Sequence, residues 1–323
     1  MVTEITPTIA FLFPGQGSQT VGMGKGFYEM SAGAKAIFEE ANDSLGFDLA
    51  RLAFEGPEAE LALTANTQPA VLTASVAAAT ACAERGLRPT LAAGHSLGEY
   101  TALVVAGAIR FSDAVRIVRK RGEFMQEAVP VGTGAMAAIM GIELAAVEKV
   151  CADAAQGEVV EIANVNSALQ IVIAGHRSAV ERAVALATER GGKMSVMLPV
   201  SAPFHCSLMA PAGARLAPEL DAARVTDPRV PVVRNVDAGV TRKADDVRPF
   251  LLRQVASPVR WAECVQRLAA EGATAFVEVG PGRVLSGLLR RIVNGARGQS
   301  VEDPAGLEKA LTAVAGGSAE SRA

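Results

Sequence analysis

Short unbroken apolar runs recur along this chain, each stopped by glycine, proline or a small polar cluster. Residues 8–13, Thr-Ile-Ala-Phe-Leu-Phe, form one such run and end at Pro14-Gly15-Gln16-Gly17-Ser18-Gln19. Residues 90–93, 230–236 and 273–279 form others. Runs of this length without polar alternation predict buried strands. Between them lie segments with helical spacing. Residues 31–55 read as surface helices and turns. A long Ala-rich helix runs from the 64–69 segment to about residue 84, with Thr67 as its cap and Pro69 in its first turn. Residues 112–128 carry an apolar stripe at Ala114, Ile117, Val118, Phe124, Met125 and Ala128. Further helices are expected to end at 250–255, to begin at 257–261, and to follow Gly280-Pro281-Gly282 with Leu285, Leu288 and Leu289.

Residues 129–202 change rhythm. Strands are expected at 135–140, 159–165, 170–174 and 193–199, and helices at 144–155 and 179–189. That order, βαββαβ, is the order of a ferredoxin-like unit. Asn164-Val165-Asn166-Ser167 reads as the tight connection between its two middle strands. The chain therefore divides into a large α/β part with a parallel sheet (1–128 and 203–310), an inserted small subdomain (129–202) and a frayed tail (311–323). A cleft between two such parts is a common place for a small-molecule site.

Composition narrows the function classes. Half of the 323 residues are hydrophobic and only 4% are aromatic, so the core must be built from Ala, Val, Leu and Ile. The net charge is −3, from 31 basic and 34 acidic residues, which excludes a strongly basic nucleic-acid binder. Four isolated cysteines, with no C-x-x-C pair, support neither a zinc site nor a redox motif and fit a reducing cytoplasm. Met1-Val2-Thr3-Glu4 shows no basic start to a signal peptide, and no run of about 18 apolar residues predicts a membrane span.

The chemistry centres on Gly94-His95-Ser96-Leu97-Gly98, a G-x-S-x-G between a predicted strand and a predicted helix. In that setting the serine sits on a sharp turn, with its hydroxyl projecting and the helix N-terminus aimed at it. Small neighbours are needed because strand and helix backbones approach closely. The chain has three histidines. His95 adjoins the serine and should point away from it, and His176 reads as a loop or cap residue. His205, in Pro203-Phe204-His205-Cys206, is by elimination the general base, with Cys206 a packing residue. Arg121 falls on the apolar stripe of its helix, whereas Arg119 and Lys120 fall on the solvated side. A buried guanidinium requires a partner. That partner is a structural carboxylate, Glu123 or Glu127, or else a carboxylate on the substrate.

Five motifs now stand in order: Phe13-Pro14-Gly15-Gln16-Gly17-Ser18-Gln19, Gly94 to Tyr100, Arg119-Lys120-Arg121-Gly122, Pro203-Phe204-His205-Cys206 and Glu278-Val279-Gly280-Pro281-Gly282. Together, over residues 8–295, they closely resemble the malonyl-CoA:acyl carrier protein transacylases. The resemblance implies an α/β-hydrolase-like large domain with the inserted ferredoxin-like subdomain. It implies Ser96 as nucleophile, His205 as base, backbone amides of Gln16 and Leu97 as the oxyanion hole, and Arg121 as the site for the acyl carboxylate. Gln254 matches a glutamine near the segment whose carbonyl orients the histidine, and Asn164 matches an asparagine close to the site. Met125, on the stripe of Arg121, joins these supporting residues. Phe204 departs from some bacterial members, which carry a small residue there. It is similar to malonyl-preferring acyltransferases of polyketide synthases, and is expected to narrow the pocket against an α-methyl branch.

The implied activity is ping-pong transfer of malonyl from coenzyme A to acyl carrier protein, with malonyl-CoA as substrate and no tightly bound cofactor or metal. The expected enzyme is cytoplasmic and monomeric, with no nucleic acid or membrane as partner. A basic rim of Arg177, Arg182, Arg190, Lys193, Arg283 and Arg290 would steer an acidic carrier protein. The competing readings are a serine esterase or thioesterase, whose triad acid would lie between Ser96 and His205 (Asp113 or Glu161), and a non-catalytic docking module.

Overall fold

A computed structural model of the chain describes residues 8–200 and 202–320; residues 1–7, Ser201 and residues 321–323, including part of the expected tail, lie outside the described residues. The apolar runs assemble into a six-stranded sheet. Its strands are β1 (Ile9–Phe13), β2 (Leu91–Gly94), β7 (Val232–Val233), β8 (Val240–Thr241), β9 (Ala275–Val279) and β10 (Gly298–Val301). The order is β10-β9-β1-β2-β7-β8, parallel except for β8, which pairs antiparallel with β7. Every residue of β1 is buried. Phe11 and Phe13 join the hydrophobic cluster on one face, while Ala10 and Leu12 join the cluster around Trp261 on the other. A strand sandwiched between two helical layers must be apolar at both phases of its pleat, which explains the unbroken runs.

β1 and β2 run in register from Ala10↔Leu91 to Phe13↔Gly94. Both chains therefore leave the sheet side by side at its C-terminal edge, one into the Gly15-Gln16-Gly17 loop and the other into Ser96. Ligands of open α/β sheets bind at this edge.

The helix Thr64–Glu84 starts one turn before the position expected. Thr67 is not its cap: its hydroxyl donates to the Leu61 carbonyl at 2.6 Å, and Pro69 sits inside the helix. Pro69 has no N–H to give the Ala65 carbonyl one turn back. Arg119 Nη1 donates to that carbonyl instead, at 3.1 Å, while Arg119 Nε pairs with Glu123 at 2.9 Å. Arg119 is thus half-buried and partnered, not simply solvated.

The second sheet comprises β3 (Gly134–Met140), β4 (Val160–Ser167), β5 (Gln170–His176) and β6 (Met194–Met197), in the antiparallel order β4-β5-β3-β6. With its helices Leu144–Ala155 and Arg177–Glu189 this is the ferredoxin-like arrangement. Asn164-Val165-Asn166-Ser167 lies within β4 and is not the connection, which is made by residues 168 and 169. Register shifts on either side of Asn164 and Val165 disturb the alternation there. The same stretch is bolted to the larger sheet's side of the molecule: Val165 N–H donates to the Val259 carbonyl and Val259 N–H to that of Ala163, both at 2.9 Å.

At the C-terminus the helix Pro304–Glu320 replaces the frayed tail expected from residue 311. Leu307 and Ala310 are buried, and Leu311 and Val314 pack against the core. Their spacing puts all four on one helix face. Among the described residues no helix is long and apolar enough to cross a membrane, and no cluster of three or more His, Cys, Asp or Glu side chains could hold a metal ion.

At the C-terminal edge of the large sheet, Gly98 is pressed against the end of β1. A Cβ there would lie 2.1 Å from the Phe13 carbonyl oxygen and 2.8 Å from its carbon. Gly98→Ala is therefore expected to destabilise the fold by about 3 kcal/mol or more. Urea unfolding at the wild-type midpoint would contradict this packing.

Candidate active site

Ser96 leaves β2 with φ 52° and ψ −106°, a conformation L-residues rarely adopt. Three contacts hold it. His95 N–H donates to the Phe13 carbonyl at 2.9 Å. Ser96 N–H donates to Asn235 Oδ1 at 2.7 Å, and Asn235 Nδ2 donates to the Gly94 carbonyl at 2.7 Å. The helix Leu97–Val105 begins at once. The amides of Gly98 and Glu99 turn back onto the carbonyls of His95 and Ser96. That leaves the Leu97 amide at the open end of the helix, beside the serine.

His205 comes from the loop ahead of the helix Ala210–Ala222, also at positive φ (62°). Its Nε2 lies 2.7 Å from Ser96 Oγ, and its Nδ1 lies 3.0 Å from the backbone carbonyl of Gln254. A carbonyl only accepts, so Nδ1 carries the proton and Nε2 presents its lone pair to the serine hydroxyl. Burial, with the Arg121 charge close by, pushes the His205 pKa down to about 3. Ser207 caps this loop onto the small sheet, its N–H and hydroxyl donating to the Glu161 carboxylate at 2.7 and 2.8 Å. Cys206 is buried, and its thiol donates to the Pro203 carbonyl.

Arg121 is 2% exposed. None of the three carboxylates on its own helix pairs with it: Asp113 pairs with Arg116, Glu123 with Arg119 and Lys120, and Glu127 with Arg215. Its partners are neutral oxygens. Nη1 donates to Gln68 Oε1 at 2.8 Å, and Nη2 donates to Gln254 Oε1 at 3.0 Å and to Ser96 Oγ at 3.2 Å. The guanidinium lies over the Tyr100 ring, and its Nε has no hydrogen-bond partner among the described residues. Burial lowers its pKa.

A cavity of about 480 Å³ joins these groups. Gln16, Leu97, Met125, Asn164 and Phe204 line it together with Ser96, Arg121 and His205. Gln254 stands behind that lining, fully buried. Gly15 packs against the His95 carbonyl, and the Ser18 hydroxyl donates to the Gly15 carbonyl at 2.6 Å, so the loop bearing the Gln16 amide is braced against the serine turn. His95 points away from the serine, its Nε2 2.9 Å from Asn166 Oδ1 and its ring against Trp261. His176 stands at the N-cap of its helix and accepts the Val159 N–H. Of the rim arginines, Arg177, Arg182, Arg190 and Arg283 are paired with Glu181, Glu158, Asp153 and Glu302.

Three participants escaped the sequence reading. Glu99 is buried in the first turn after the serine, and burial raises its pKa to about 7. Its position in G-x-S-x-G-E was the only available signal. Asn235 follows a two-residue strand and carries no motif. Gln68 sat in a stretch read merely as a helix start.

Comparison with known proteins identifies the family. The family model of the acyl transferase domain matches residues 10–315. The malonyl CoA-acyl carrier protein transacylase of Bacillus subtilis strain 168 is 50% identical over 304 residues, covering 94% of this chain and 96% of its own. That of Escherichia coli K12 is 50% identical over 306 residues, covering 94% and 98%. Among solved structures, an acyl carrier protein S-malonyltransferase from Vibrio cholerae superposes with a TM-score of 0.91 at 49% identity, covering 94% and 99%. A malonyl-transacylase solved in complex with its type II polyketide synthase acyl carrier protein gives 0.92 at 46%, with the same coverage. The chain belongs to the acyl transferase domain family, among its malonyl-CoA:acyl carrier protein transacylases, and is an acyltransferase.

Proposed function

We propose that this chain moves the malonyl group from malonyl-CoA to the phosphopantetheine thiol of acyl carrier protein through a malonyl ester on Ser96. The observation that carries the reading is a serine hydroxyl set between a neutral imidazole nitrogen and a buried cation that, among the described residues, no carboxylate contacts.

His205 Nε2 takes the Ser96 proton as Oγ attacks the thioester carbonyl. The amides of Gln16 and Leu97 receive the resulting oxyanion, each contributing about 3 kcal/mol. The intermediate collapses, the C–S bond breaks, and His205 returns its proton to the departing coenzyme A thiolate. The phosphopantetheine thiol then gives its proton to His205, attacks the seryl ester and takes the malonyl group, restoring Ser96. Arg121 pairs with the malonyl carboxylate throughout. Every step uses this chain's side chains and its two substrates. The carrier protein as acceptor is supported by the names of the relatives and by the one solved with its carrier protein.

The esterase reading lacks its acid. His205 Nδ1 meets the Gln254 carbonyl and no carboxylate, and Glu161 caps Ser207 instead. The docking-module reading leaves the 2.7 Å Ser96–His205 contact without a purpose.

Intact-protein mass after brief exposure to malonyl-CoA tests the scheme. The wild type should gain a malonyl adduct that acyl carrier protein discharges, and Ser96→Ala should gain none. Free malonate with no adduct, or an adduct that survives in Ser96→Ala, would overturn it. Arg121→Ala should lower malonyl transfer by about 10²–10³-fold while acetyl transfer holds or rises, because only the malonyl group loses a charge partner. Equal loss for both acyl groups would remove Arg121 from the role.

The low pKa of His205 has a definite sign. The folded protein holds the imidazole neutral down to about pH 3, whereas an unfolded histidine protonates near 6.5. The base therefore remains available through mildly acidic pH. Its contribution to stability is complete above about 6.5 and is lost as pH falls from there toward 3. The acid limb of kcat/KM, which reports the free enzyme, should have its midpoint below pH 6. A midpoint at 6.5 would contradict the buried, neutral base.

A further inference from the structure

Gln254 touches three parts of the site at once. Its Oε1 accepts from Arg121 Nη2, its Nε2 donates to the Ser96 carbonyl at 3.0 Å, and its backbone carbonyl takes His205 Nδ1–H. A primary amide is nearly the same size at both ends, so packing alone does not decide which end faces the guanidinium. Reversed, it would set NH2 against the donors of Arg121. The choice is made by what surrounds Nε2, and the nearest oxygen there is Glu99 Oε2, at 2.7 Å. The same oxygen accepts the Asn235 N–H at 3.1 Å, and Asn235 holds the Ser96 amide through Oδ1. Glu99 is 2% exposed and Gln254 fully buried, so no solvent competes for these bonds.

We infer that Glu99 is a positioning residue for acyl selection: its carboxylate fixes the polarity of the Gln254 amide, and thereby the orientation of the Arg121 guanidinium that receives the acyl carboxylate. Glu99 touches neither substrate nor the reacting atoms. This inference rests on Arg121 binding the malonyl carboxylate. It goes beyond that reading by assigning the preference for a charged acyl group partly to a residue one layer behind the arginine.

The inference separates selection from general integrity of the site. Glu99→Met keeps the length of the side chain and removes both acceptors. Malonyl transfer should fall at least tenfold, mainly in kcat/KM for malonyl-CoA, with acetyl transfer changed by less than threefold. Glu99→Gln places one oxygen where Oε2 stands and should retain the malonyl-to-acetyl ratio within about threefold. Glu99→Met in a Gln254→Met background should add nothing further to the loss of that ratio. Should Glu99→Met not fold, Glu99→Asp carries the test. Its charge remains, but its carboxylate is withdrawn by about 1.5 Å, one C–C bond, from Gln254, and the same selective loss is expected.

Equal losses of malonyl and acetyl transfer in the folded Glu99 variants would overturn the inference, as would a full additional loss in the Gln254→Met background. Arg121→Ala is assayed in parallel. If it separates the two acyl groups while the Glu99 variants do not, the inference alone fails. If Arg121→Ala does not separate them, the reading of Arg121 fails and the inference falls with it.

Discussion

A serine backbone held at φ 52° is the constraint on which this site is built. Such a conformation costs on the order of 1–3 kcal/mol and persists only where its surroundings over-determine it. Here they do. Parallel pairing of β1 with β2 ends at Phe13 and Gly94, which fixes where both chains leave the sheet. Gly94 and Gly98 let the turn and the new helix close to distances that no Cβ would permit. Asn235 ties the serine amide to the end of the neighbouring short strand. The result is a half-buried Oγ at the tip of a rigid turn and a helix N-terminus directed at the same point, where negative charge would develop in the proposed transfer.

Around that turn, burial pulls every ionisable group toward its neutral form. The pKa of His205 falls to about 3, that of Glu99 rises to about 7, and that of Arg121 falls. For His205 as the proposed base this would be useful, because a neutral Nε2 is the form that accepts a proton. For Arg121 it is a cost, and the chain offsets it with the oxygens of Gln68, Gln254 and Ser96 and with no carboxylate in contact. A carboxylate in contact would have stabilised the free protein more and occupied the cation that the proposed scheme leaves for the substrate. Glu99 stands one amide away. It is near enough to favour the cation through space and too far to neutralise it by contact.

The sequence disclosed this site unevenly, for physical reasons. Ser96, with its glycines, was legible because a tight strand-to-helix turn admits few residue types. Arg121 was legible because a guanidinium on an apolar stripe is anomalous whatever surrounds it. His205 emerged because the chain has only three histidines. What stayed hidden were groups whose importance exists only in three dimensions: Asn235 beside a two-residue strand, Gln68 within a helix start, and Glu99 buried in the first turn after the serine. Local reading also misplaced the 164–167 stretch. Its polar residues suggested a turn, yet Asn164 and Asn166 belong to a bulged strand whose side chains reach the cavity and His95. The start of the tail was misread because its core contacts, Leu311 and Val314, depend on a neighbouring surface that composition does not reveal.

The two sheets divide the work. Ser96, Arg121, His205 and Gln254 all come from outside the small sheet, whereas Met136 and Asn164 come from its strands and Leu198 and Val200 follow β6 directly. The small sheet therefore shapes the wall of the cavity and supplies no proton-transfer group. Its attachment is still felt at the base, through Glu161 on the Ser207 cap and through the paired backbone at Val259. Phe204 belongs to both systems, since it lines the cavity and immediately precedes a histidine held at positive φ. A change at Phe204 that widens the acyl pocket must also disturb the loop that aims His205. A change at Met136 or Leu198 reshapes the wall without touching it. Under the proposed scheme, acyl-group tolerance would vary most freely on the small-sheet side, while the side chains assigned to making and breaking the ester stay fixed on the large one.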